Sequence, residues 1–408
     1  MKKIVIISGI VNCLILILVV STLDNSDKII YTNNKSNKVV NANSLTMMYE
    51  TEASSGEYVV SSDTIWPQDG YVFNSELSSC ENGGTLSWSS ETNRVIMQTN
   101  SSDRCYVYFD AYEPTLSELC DDKTLSECII TQVYTGTDGD NDLYYHDGVG
   151  TYTNADQEAG DNSYRYAGAN PNNYICFGSN EATCSNDYLY RIIGVFGDQV
   201  KLIKYDYAEQ NILGASPGDI TPNSSYYKGS LSALSRYQRD YPWSSSSLNI
   251  NILNGTFLSM IESTWSSKIE ITNWKTGEND ANDIINVPVK NTYTNEIASP
   301  AENTTYSAKI GLMYVSDYGY AASPENWNRN LYNYDNDTNR NNNWIFMGGD
   351  EWLITVSDIS DAFILYNSGR VSSVYTLDFD AVRPTFYLNP DVAYVSGDGT
   401  ISNPYRIN

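Results

Sequence analysis

The sequence predicts an α+β chain that is mostly β: an N-terminal transmembrane helix, a small all-β module braced by disulfides, and a larger C-terminal domain. Three observations carry this. An apolar run extends from Ile4 to Leu23, short alternating strands fall between turn clusters from Trp66 to Tyr112, and six cysteines beyond the apolar run lie in neighbouring pairs. A helix crosses the hydrocarbon core with about 20 apolar residues, and Ile4 to Leu23 supplies them behind Lys2 and Lys3. A cleavable signal ends a shorter apolar stretch in small residues, which only Val19-Val20-Ser21 loosely offers, so the run reads as an uncleaved signal anchor. The two lysines then stay cytoplasmic and everything after Leu23 is extracellular. Cys13 reads as a membrane-embedded side chain, because Asn12 stands where a lipidated cysteine needs a small residue.

The formal charge of −26 over 408 residues repels phosphate backbones and anionic lipid. Nucleic acid is therefore not an expected partner, and the N-terminal helix is the expected membrane contact. An even set of cysteines in an oxidising compartment points to disulfides. Their clustering predicts the pairs Cys80 with Cys105, Cys120 with Cys128, and Cys176 with Cys184. Zinc is the competing use, but there is no C-x-x-C pair and His146 is the only histidine, so no metal and no cofactor are expected.

Residues 24–62 are rich in Asn, Ser, Thr and Lys without a sustained period and read as a flexible stalk. In the module 63–112, strands are expected at Tyr71-Val72-Phe73, Thr85 to Trp88, Arg94 to Met97 and Cys105 to Phe109. Segment 113–187 opens on two capping boxes, Thr115-x-x-Glu118 and Thr124-x-x-Glu127, which predict two short helices. It continues as long loops with one strand at Leu143-Tyr144-Tyr145. In the domain 188–408, Tyr190 to Phe196 and Gln199 to Lys204 form a hairpin about Gly197-Asp198. Leu253, Phe257, Ile261 and Trp265 recur at four-residue spacing and predict a helix from Ser246 to Trp265. Strands follow at Ile310 to Val315, Trp352 to Ile354, Ala362 to Tyr366, Val371 to Tyr375 and Thr385 to Leu388, with a turn at Asn367 to Arg370.

Several of these segments look familiar. Tyr190-Arg191-Ile192-Ile193-Gly194, Ile310-Gly311-Leu312-Met313-Tyr314, Trp352-Leu353, Asn367-Ser368-Gly369-Arg370-Val371 and Val382-Arg383-Pro384-Thr385-Phe386-Tyr387-Leu388 resemble a bacterial extracellular domain family of unknown function. That family in turn resembles the C-type-lectin-like group, which includes formylglycine-generating enzymes and the variable binding proteins of diversity-generating retroelements. The resemblance covers roughly residues 188–408. It implies a C-type-lectin-like domain in which the first and last strands pair, here those at Tyr190 and Phe386. Formylglycine-generating enzymes bind copper through late cysteines, and no cysteine follows Cys184, so that activity is not expected. The proline-containing carboxylate and amide motif of calcium-dependent lectins has no match.

Asp138, Asp140 and Asp142 alternate like early calcium-loop ligands, but Leu143 takes the place of the required glycine and no glutamate closes the loop, so this reads as an acidic surface loop. His146 has no nucleophile motif beside it, and 50 acidic residues leave no carboxylate pair singled out for catalysis. The 34 tyrosines suggest recognition instead, since Tyr and Trp pair flat apolar faces with polar tips. Tyr226-Tyr227 and, in an Asn-rich stretch of loop texture, Tyr318, Tyr320, Trp327, Tyr332, Tyr334 and Trp344 are the expected exposed binding residues. The expectation is a membrane-anchored, non-enzymatic adhesion or ligand-binding protein that meets a glycan or protein outside the cell. A carboxylate-dependent glycan hydrolase and a structural coat component are the alternatives.

Overall fold

The structure, a computed structural model, describes residues 44–61, 70–99, 102–112, 114–132, 139–149, 156–208, 243–334, 341–357, 361–375 and 380–408. The expected anchor lies outside these residues, as do Tyr226, Tyr227 and Asp138. No helix among the described residues is long and apolar enough to cross a membrane. The chain divides into two compact units, Met1–Pro114 and Thr115–Asn408, and is mostly β.

In the first unit β1 (Ser44–Glu50), β2 (Tyr58–Val60), β3 (Tyr71–Cys80) and β6 (Arg104–Ala111) form a sheet in the order β2-β1-β6-β3. A hairpin of β4 (Thr85–Ser89) and β5 (Arg94–Gln98) adds to the same core. Strand β6 explains the packing: Cys105, Val107 and Phe109 are buried and their neighbours are not, the two-residue period of a sheet with one covered face. Cys80 and Cys105 are direct cross-strand partners and form a disulfide. The stalk expected over residues 24–62 is corrected at its end, because β1 lies inside the sheet and runs parallel to β6. Met47 and Tyr49 are buried, with Tyr49 stacked on Phe109 at 5.2 Å. The same alternation is written in Leu45, Met47 and Tyr49, within a segment whose polar composition hides it.

In the second unit both capping boxes form. Thr115 starts α1 (Leu116–Leu119) and Thr124 starts α2 (Leu125–Thr131), each hydroxyl accepting from the third-residue amide while Glu118 or Glu127 accepts from the cap. The main sheet gathers β7 (Leu143–His146), β8 (Ser163–Tyr166), β9 (Tyr174–Cys176), β10 (Leu189–Phe196), β11 (Gln199–Lys204), β14 (Ile310–Gly311) and β18 (Thr385–Tyr387). It is ordered β14-β18-β11-β10-β8-β7, with β9 also on β10. The boundary expected at Tyr188 therefore falls inside this unit, because residues before it supply three of the sheet's strands. β10 and β11 are buried along almost their whole length, as central strands covered on both faces are. Gly194 sits at a bulge where a Cβ would come within 2.2 Å of the Tyr164 carbonyl oxygen, so only glycine lets β8 approach. The final sheet strand pairs with β11, Leu202 opposite Phe386, and not with β10 as the resemblance implied. Tyr190 and Phe386 still meet as rings at 5.3 Å. The remaining pairs are β12 (Thr272–Lys275) with β13 (Thr305–Ala308), the meander β15 (Glu351–Val356), β16 (Asp361–Leu365) and β17 (Val371–Tyr375), and β19 (Tyr394–Ser396) with β20 (Arg406–Ile407). Disulfides join Cys120 to Cys128 and Cys176 to Cys184, so all three expected pairs form.

Two elements differ from the sequence reading. The helix expected from Ser246 to Trp265 is a π-helix over Leu248–Phe257, a short α-turn to Met260, an extended break at Ile261 and a last turn at Ser263–Ser266. Asn254 explains the widening: its amide donates to the Ile310 carbonyl at 2.9 Å and accepts from the Ile310 N–H at 3.0 Å, tying the helix to a sheet edge. The strand expected from Ile310 to Val315 stops at Gly311, and Val315–Ala321 is a helix. Asp317 accepts from the Tyr314 N–H at 2.8 Å and Glu296 from the Val315 and Ser316 N–H groups at 2.9 and 3.0 Å, satisfying the orphan amides of its first turn.

Candidate functional site

The aromatic face read from sequence folds inward. Tyr318, Tyr320, Trp327, Tyr334 and Trp344 are buried, and of the six only Tyr332, 42% exposed, reaches solvent. Each buried ring spends its polar tip on a backbone carbonyl: Tyr318 on Gly369 at 2.6 Å, Tyr320 on Gln157 at 3.1 Å, Trp327 on Ala322 at 2.8 Å, Tyr334 on Asn326 at 2.9 Å and Trp344 on Tyr166 at 2.7 Å. The expectation that these five residues are exposed is corrected. The Asn-rich texture misled because Asn326 and Asn343 are themselves buried, Asn343 donating to the Tyr318 carbonyl at 2.8 Å.

Two arginines of the resembling motifs fix the end of this stretch. Arg191 donates to Asn173 Oδ1 at 2.7 Å, to the Pro171 carbonyl at 3.0 Å and to the Trp344 carbonyl at 3.3 Å. Arg383 makes a bidentate pair with Glu351, both bonds 2.8 Å, and donates to the Ile345 carbonyl at 2.8 Å. The motifs are thus structural clamps on the segment that sequence texture read as a display loop.

Around Tyr332 lies a small set that the sequence reading split between a loop, a strand end and a turn. Tyr332 stands on the turn Leu331–Asn333, and Tyr366 and Arg370 flank the turn joining β16 to β17. The Arg370 guanidinium lies 4.7 Å from the Tyr366 ring and 5.4 Å from the Tyr332 ring, within cation–π range of both. It also donates to the Tyr332 hydroxyl at 3.4 Å. The turn is held from below by the Tyr318 hydroxyl on Gly369 and from the side by Asp350, which accepts from the Asn367 N–H at 2.5 Å. Chemically this set offers two apolar ring faces, phenol hydroxyls and one cation on a rigid support. The signal for it was present in Asn367-Ser368-Gly369-Arg370, read as a turn and as one of the resembling motifs but not as a binding element.

A second arrangement is internal and was not foreseen. Arg165 on β8 donates to Ser163 Oγ at 2.8 Å and to Asp161 Oδ2 at 2.6 Å. Lys201 on β11 donates to Asp317 Oδ2 at 2.6 Å. Arg165 Nη1 and Asp317 Oδ1 face each other at 4.0 Å, both buried and without a hydrogen-bond partner. Burial opposes the charges of Asp161 and Arg165, but their attraction wins and holds the Asp161 carboxyl well below the usual range. Burial likewise disfavours the Lys201 ammonium, and Asp317 beside it outweighs that and raises its basicity. His146 is fully buried next to this cluster, its ring 4.7 Å from Tyr320 and 5.0 Å from Trp327, with Nδ1 accepting from the Ala159 N–H at 3.1 Å. Burial, then the nearby Arg165 charge, pushes its pKa well down, so it stays neutral.

Among the described residues one group of Cys, His, Asp and Glu is compact enough to share an ion, Cys80, Asp103 and Cys105, and its sulfurs are consumed in the disulfide. Of the expected acidic loop only Asp142 has a described side chain. No family model, curated protein or solved structure matches this chain.

Proposed function

We propose that the chain is a membrane-anchored cell-surface protein whose large unit binds a glycan or protein ligand outside the cell, without catalysis, at Tyr332, Tyr366 and Arg370. The observation that carries this is the mounting of Arg370 on a turn fixed by Tyr318 and Asp350, where its guanidinium meets the half-buried Tyr366 and the exposed Tyr332 of a neighbouring turn. Binding surfaces favour Tyr and Arg because they offer large contact area at low entropic cost. The apolar run at Ile4 to Leu23 and the disulfides support the extracellular placement. The net charge of −26 favours neutral glycans over anionic ones. We read the large unit as C-type-lectin-like; what supports this is the run of resembling motifs, three of which supply strands β10, β14 and β18 of one sheet.

The test is a glycan array and a cell-surface pull-down with the full chain in detergent, comparing wild type with Tyr332→Ala and Arg370→Ala. Ligand capture that falls at least tenfold in either variant supports the placement. Capture that is unchanged in both moves the binding face elsewhere.

A further inference from the structure

We propose that Lys201 and Asp317 condense after folding into an internal isopeptide, an amide joining Lys201 Nζ to Asp317 Cγ. The site is a covalent cross-link between the centre of the main sheet and the Val315–Ala321 helix, and it is independent of the binding face proposed above.

The geometry supplies what the reaction needs. Nζ and Oδ2 are 2.6 Å apart, with side chains about 1% exposed. Nζ sits among Tyr314, Tyr387, Phe196 and Trp274, with ring centres 4.6, 5.1, 5.6 and 5.6 Å away, which exclude water. Held reactants of this kind reach very large effective concentrations. The attacked carboxylate is already differentiated. Oδ2 takes both the Lys201 contact and the Tyr314 N–H at 2.8 Å, whereas Oδ1 has no hydrogen bond and faces the unpartnered Arg165 Nη1 at 4.0 Å. A buried cation aimed at the one oxygen on which negative charge would develop is the arrangement that stabilises a tetrahedral intermediate.

The step balances without an oxidant, reductant or other reactant. A proton crosses from the ammonium to Oδ2, leaving a neutral amine and a neutral acid. The amine lone pair attacks Cγ, charge gathers on Oδ1 opposite Arg165, and a second proton follows to Oδ2. The Cγ–Oδ2 bond breaks, Oδ2 leaves as water, and Oδ1 becomes the amide oxygen. The ammonium has given up two of its three protons. The driving force is local: a buried ion pair carries a desolvation cost for both charges, and the amide removes both.

The experiment is mass spectrometry of the full chain, disulfides reduced, as intact protein and as tryptic peptides. The expected result is a mass one water below the sequence, no cleavage after Lys201, and a branched peptide containing Lys201 and Asp317. Lys201→Arg preserves a buried cation but cannot form this bond, and should restore the full mass. Wild-type protein that gives separate Lys201 and Asp317 peptides at full mass overturns the proposal, whether or not the variant folds.

Discussion

The two units hold themselves together by different means. The first has a core of Met47, Tyr49, Val95, Val107 and Phe109, with a disulfide fastened between two of its strands. The second has a continuous core large enough to take ion pairs inside, Arg383 with Glu351, Lys201 with Asp317 and Arg165 with Asp161. Among its described residues the small unit buries only single carboxylates, Glu50 and Asp103, each answered by backbone N–H groups, and leans on a cross-link, while the thick core tolerates whole ion pairs provided that each charge is answered. The difference teaches where each unit is brittle: the small one at its cross-link, the large one at its charges.

The sharpest way to break the comparison is Arg383→Met. It strands Glu351 in the core and frees the Ile345 carbonyl, so the large unit should lose about 3–5 kcal/mol, the cost of an uncompensated buried charge. Adding Glu351→Leu to the same chain should recover most of the loss. Hydrogen exchange resolved by peptide would show both changes in residues 115–408 and none in residues 44–112. A loss below about 1 kcal/mol would mean that the pair is not buried as described. The counterpart is the double variant Cys80→Ala with Cys105→Ala. Closing a loop with a sequence separation of 25 should contribute about 3 kcal/mol to the small unit alone. Exchange that rises equally in both units would refute their independence.

How far the sequence could be read follows the same division. The small unit was legible because a sheet with one wet face prints its alternation in the chain, as at Cys105, Val107 and Phe109. The capping boxes and disulfide pairs were legible because they are local. The interior of the large unit was not. Tyr318 and Trp344 are buried by partners far along the chain, Gly369 and Tyr166, and no local pattern separates a tyrosine that serves a carbonyl from one that meets a ligand. Asp317 misled for a related reason, since its capping of Tyr314 turns an apolar run that reads as strand into a helix start. Arg370 was visible as part of a turn and of a resembling motif but not as a partner of rings, because its two aromatic neighbours come from different elements.

A smaller effect uses the single histidine. His146 is held neutral in the fold, so below its ordinary value, near pH 6.5, the unfolded chain takes up a proton that the folded chain refuses. Stability should therefore be unaffected above about pH 7 and fall by about 1.4 kcal/mol for each unit below 6.5. His146→Asn keeps an acceptor for the Ala159 N–H and removes the titration, and should flatten that slope. Denaturant midpoints at pH 7.5 and 5.5 for both proteins decide it. An unchanged slope would assign the pH response to carboxylates and take the histidine out of the buried cluster.

The smallest effects sharpen the comparison inside the large unit, between a ring that supports and a ring that is displayed. Tyr318→Phe removes only a hydroxyl, yet it leaves the Gly369 carbonyl unanswered in a buried place and should cost about 1–2 kcal/mol. Tyr332→Ala removes a whole side chain from a site 42% exposed and should move stability by about 0.5 kcal/mol or less. Ligand capture should invert the order, with Tyr332→Ala losing at least tenfold directly and Tyr318→Phe losing less, through the turn that carries Arg370. If both variants change stability and capture in the same proportion, Tyr332 is a structural residue like Tyr318, and the exposed ring does no recognising.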